Sequence, residues 1–128
     1  MNELLHSFLE ERRNRVFRYG RYDCVILAAE WLLVSRNRDI FAELGIARYR
    51  SLRQGRLALA KLGYSSPRQL ADKLFQHSPA LCGRVGDLAA VGEAMGIVCG
   101  SYVAVPRRLG WGAMPLPSAA VVYRTEGG

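Results

Sequence analysis

Only two of the 18 basic residues are lysines, and the 128-residue chain holds just two histidines and three cysteines. Each scarcity excludes something. Cys24, Cys82 and Cys99 are odd in number and lack CxxC spacing, which suits free thiols in a reducing compartment and argues against a disulfide scaffold or a zinc site. Three scattered cysteines without a fourth also make a poor iron–sulfur signature, so neither metal nor cofactor is expected. The longest apolar run, Val25 to Val34, is broken by Glu30 and falls well short of the ~20 residues that cross a bilayer. Met1-Asn2-Glu3 has no basic segment leading into an apolar core, so no secretory leader is expected and the chain should be made in a cytoplasm. Gly92, Gly96 and Gly100 lack the strand, loop and helix context of a phosphate cradle and read as turn and bulge glycines.

Half of the residues are apolar and 23% are charged, the balance of a folded domain, and the length suits a single domain over residues 1–128. The net charge of +7 favours anionic partners in general. Its arginines run from Arg12 to Arg124 without a visible cluster, so a nucleic-acid-binding module ranks last among the functional readings.

Helical signals come first. Leu4, Leu5, Phe8 and Leu9 share one face, predicting an outer amphipathic helix within residues 1–16. Residues 16–22 read as a connector, Asp23 as an N-cap, and Cys24 to Val34 as a core helix with Trp31 inside it. Ser51-Leu52-Arg53-Gln54 and Ser66-Pro67-Arg68-Gln69 both fit the capping box, predicting a helix that ends at Gly63 and another that runs to about His77. This makes residues 23–77 a helical half. After Gly83 the texture changes to short valine- and alanine-rich runs between glycines: 88–91, 95–99, 102–105, 111–116 and 119–123. Residues 84–125 therefore read as an antiparallel sheet, and the whole as α+β, with N-terminal helices packed on a C-terminal sheet. Trp111, between two glycines, reads as an exposed turn or edge residue suited to an interface.

The chemistry concentrates in Tyr19-Gly20-Arg21-Tyr22-Asp23-Cys24. A cysteine in the first turn of a helix meets unpaired amides and the positive dipole end, which favour a thiolate nucleophile. Asp23 works against that charge, and a buried cysteine also serves as a small hydrophobe; local sequence leaves both readings open.

Tyr-Gly-x-x-Asp-Cys resembles the nucleophile motif of the NlpC-type cell-wall peptidases, a branch of the papain-like fold. Gly86-Asp87-Leu88 is similar to that family's Gly-Asp-Leu strand start, and Met95-Gly96-Ile97-Val98-Cys99-Gly100 to the strand that carries its general base. In that strand the family's leading histidine is matched here by Ala94, which accepts no proton. The resemblance extends to small NlpC-like proteins of tailed-phage tail gene clusters that keep the cysteine and lack the histidine. It includes Pro115 to Ala120 and the strand ending in Tyr123, and so spans about residues 17–124.

What the resemblance implies is a structural component of a phage tail tip or baseplate. It would be made in the host cytoplasm, carried in the virion and in contact with other tail proteins in a symmetric assembly, with Cys24 and Asp23 as vestiges of catalysis. The alternative is an active cysteine hydrolase on bacterial peptidoglycan, with Cys24 as nucleophile and His77 as a relocated base. His6 and His77 otherwise read as surface residues.

Overall fold

A computed structural model describes residues 2–119 and 121–125. Five helices come first: α1 Glu3–Glu10, α2 Cys24–Arg36, α3 Ile40–Leu44, α4 Leu52–Lys61 and α5 Pro67–Leu74. Six strands follow: β1 Gln76–Ser78, β2 Leu88–Val91, β3 Ala94–Val98, β4 Tyr102–Pro106, β5 Trp111–Pro115 and β6 Val121–Arg124. They form one antiparallel sheet in the order β1-β6-β2-β3-β4-β5. The expected α+β class and the helix-then-strand order are both present. Ala120, inside the last expected strand, lies outside the described residues.

Period-two alternation divides the sheet between two cores. Leu88, Ala90, Met95, Ile97, Ala104 and Tyr123 face the helices and join Leu27, Trp31 and Leu32 of α2. Ala89, Val98, Val103, Val105 and Val122 face the other way, where Leu116 and Ala119 cover them. The pairs Leu88↔Ile97 and Val98↔Val103 show why the register is fixed: each joins residues of the same core, and a one-residue slip would exchange the faces.

α2 is the hub. Its Trp31 is 1% exposed, meets the Phe8 ring of α1 edge-on at 5.2 Å and donates its Nε1–H to the Gly86 carbonyl at 2.8 Å. Glu30, the one break in the apolar run, accepts from Arg12 and Arg15, with Arg12 buried over the Phe8 ring. A buried guanidinium requires such a counter-charge. On α1 the inward residues are Leu5, Phe8 and Leu9, while Leu4, expected among them, is 48% exposed.

Three expectations need correction. The last helix stops at Leu74 instead of near His77, because Phe75 turns extended and Gln76 to Ser78 pair with Arg124 to Val122 of β6. Long-range strand pairing prevails where no local stop signal exists. Between α2 and α4, where the sequence announces no helix, Ile40–Leu44 form α3, five residues capped by Asp39 and too short to show a period. Trp111 is half-buried, stacks parallel to Tyr102 at a centroid distance of 6.4 Å and donates to the Leu9 carbonyl, so its indole is engaged within the chain.

Candidate functional site

The head of α2 is built by Gly20, Asp23 and a tyrosine from far along the chain. Asp23 Oδ1 accepts the Ile26 amide at 2.8 Å, capping the helix, and Oδ2 accepts the Gly20 amide at 2.8 Å. The Tyr49 hydroxyl donates to both oxygens, at 2.8 and 2.6 Å. Gly20 has φ +85° and lies under the 49–50 backbone, where a Cβ would come within 2.5 Å of the Tyr49 carbonyl oxygen. Both conditions require glycine there. The spacing of the Tyr-Gly-x-x-Asp-Cys fragment thus builds a locked corner, and Cys24 is the first residue of the helix it starts.

Cys24 is half-buried beside Met95, whose backbone amide faces the sulfur. Burial raises the thiol pKa above its ordinary value, and the Asp23 charge adds to the rise. The amides of Met95, Cys24 and Val25 oppose it without cancelling it. Burial and the bond to Asp23 likewise lift the Tyr49 phenol above its usual range. The thiolate expected from a helix N-terminus is therefore disfavoured: desolvation outweighs the helix dipole.

Ala94, which stands where the resembled family has its histidine, pairs with Val91 and lines the same cleft as Cys24, so that position offers no proton acceptor; Met95, next to it, packs into the core that Cys24 touches. His77 sits exposed on β1, which β6 and β2 separate from β3, roughly 14 Å across the sheet at ~4.8 Å per strand. Its ring meets Tyr123 at 6.3 Å. His6 is exposed on α1. The structure brings Cys24 and Asp23 together and leaves His77 elsewhere.

Cys24 opens onto a cleft of about 780 Å³ between α2, α5 and β3 on one side and α3 and α4 on the other. Its described lining includes the acids Asp23 and Glu93 and the cations Arg56 and Arg107, and no histidine. Sequence reasoning missed Tyr49, Met95 and Arg56. Tyr49 stands between two arginines in a segment without periodicity, and nothing local ties it to an aspartate 26 residues earlier.

The other two motif fragments are also structural corners. Gly86, at φ +94°, donates its amide to Val98 and accepts from Trp31, while Asp87 Oδ2 takes the Arg84 amide at 2.9 Å. At Gly96 a Cβ would collide with Val103 and Ala104 of β4. Cys99 is buried with its pKa pushed up to about 11, chiefly by burial, and Cys82 is exposed. Among the described residues no cluster of three or more His, Cys, Asp or Glu could hold a metal, and no helix is long and apolar enough to cross a membrane.

No curated protein and no solved structure matches the chain. A family model does, over residues 1–125, and the corner, the two-faced sheet and the cleft all fall within that span: the chain belongs to the family described as a domain of unknown function, DUF6950.

Proposed function

We propose that this protein is a non-catalytic building block, a degenerate NlpC-like, papain-like domain that serves as a structural component of a phage tail tip or baseplate. One observation carries the non-catalytic half of the reading: the Cys24 thiol, its pKa raised by burial, faces a backbone amide and the Met95 side chain, and the described lining of its cleft holds no imidazole. Asp23 supplies no base, because two amides and a phenol engage its oxygens. The three motif fragments persist because each makes a corner or a close strand contact that the fold needs. The tail assignment draws on the resemblance across residues 17–124, and it places the chain in the virion among other tail proteins.

Two experiments test the halves separately. Purified chain incubated with peptidoglycan sacculi should release no muropeptide; a product that disappears in Cys24→Ala would establish the competing hydrolase reading. Tail particles from a lysogen encoding the chain should contain it after gradient purification, with or without Cys24→Ala. Its absence from such particles would remove the tail role.

A further inference from the structure

The cleft beside Cys24 is lined mostly by apolar side chains. Its floor carries Ala28 and Leu32 of α2 with Met95, and its roof Phe41 and Leu59, around about 780 Å³. The roof is loosely held, since α4 has no fully buried residue. An apolar cleft under a roof helix that buries no residue completely has the form of a ligand site.

Polar groups select the occupant. An extended peptide would bring amides that need partners, and the polar groups near Cys24 are already engaged: Asp23 by Gly20, Ile26 and Tyr49, and the Met95 amide by the thiol. An alkyl chain makes no such demand. At the roof Arg56 lines the cleft and forms no ion pair among the described residues. Between Leu44 and Ala71 the chain has six cations and no acid. The flanking acids are occupied, Glu43 by Arg38 and Asp72 by the Tyr123 hydroxyl. Arg56 is exposed at the edge of the cleft, and although Glu93 also lines the cleft, the surplus of cations over acids in this segment favours an anionic head group there.

We propose that the cleft binds a long-chain anionic amphiphile, its alkyl chain lying along the floor from Cys24 to Leu32 and its head group at Arg56. The inference shares with the reading above only the premise that Cys24 is not a nucleophile, and muropeptide release would test that premise independently.

The probe is cis-parinaric acid, whose fluorescence rises in apolar surroundings, displaced in turn by palmitate, hexadecanol and hexadecyltrimethylammonium. Binding should saturate, with palmitate displacing at least about tenfold better than the cationic amphiphile. Arg56→Glu should abolish that preference, and Leu59→Trp, which fills the cleft from its roof, should weaken binding by at least about tenfold. Circular dichroism checks that each variant folds, and Ala28→Trp fills the cleft from the floor should Leu59→Trp fail to fold. Absence of saturable binding, indifference to head-group charge, or undiminished binding in a folded cleft-filling variant would overturn the proposal.

Discussion

The floor and roof of the cleft are helices with equally good starts and unequal anchorage. α2 begins at Asp23 and α4 at Ser51, and in each the cap side chain accepts an amide three residues on. Yet α2 buries Ile26, Leu27, Ala28, Trp31 and Leu32, while α4 buries nothing completely and leaves Leu57 54% exposed. Capping decides where a helix begins, and burial decides how firmly it stays. The floor is scaffold, and the roof is free to adapt to an occupant. The segment leading into α4 is tied to α2 by Tyr49 on Asp23, next to the thiol, and by Arg48 at 3.7 Å from Glu30.

The hardest blow to the floor should be Asp23→Ala, which removes the cap and leaves the Gly20 amide and the Tyr49 hydroxyl without their acceptor. A loss of about 3 kcal/mol in urea unfolding is expected. A loss below about 1 kcal/mol would show that the corner does not pin the helix.

Alkaline pH should erode the sheet side of the floor. The Cys99 pKa is raised in the fold from 9.0 to about 11, so its contribution is fully present below about pH 9 and lost as pH climbs through about 11. The expected fall is about 2 kcal/mol across that window, and Cys99→Ala should flatten the slope. An unchanged slope in that variant would assign the loss to other groups.

Untying roof from floor with Tyr49→Phe should cost about 1 kcal/mol and speed amide exchange in α4 more than in α2. Equal acceleration in both helices would erase the distinction between them. The smallest effect belongs to Leu57→Ser on the outer side of the roof, within about 0.5 kcal/mol by urea midpoint. A loss above about 2 kcal/mol would mean that α4 is buried in solution.

What was legible in the sequence tracks how local the cause is. Asp23, Ser51 and Ser66 are caps as their spacing predicts, with one variation: Gln54 and Gln69 reach back to the amides of Arg50 and Ser65, one residue before the cap. Gly63 ends α4 at φ +91°, and the glycine-punctuated runs are strands. What stayed hidden depends on distant partners. β1 exists because β6 pairs with it, Tyr49 matters because Asp23 lies beneath it, and Trp111 is engaged because Leu9 offers a carbonyl 102 residues away. The thiol shows the same limit. Its place at a helix start was visible, and the burial that reverses the helix's effect on it was not.

The most direct test is the pH profile of Cys24 alkylation by iodoacetamide, read by peptide mass spectrometry so that Cys82 and Cys99 are scored apart. The expected midpoint lies above pH 9, with slow reaction at neutral pH. A midpoint below about pH 7 would mean a thiolate held ready for attack, and it would contradict the assignment of this corner to structure.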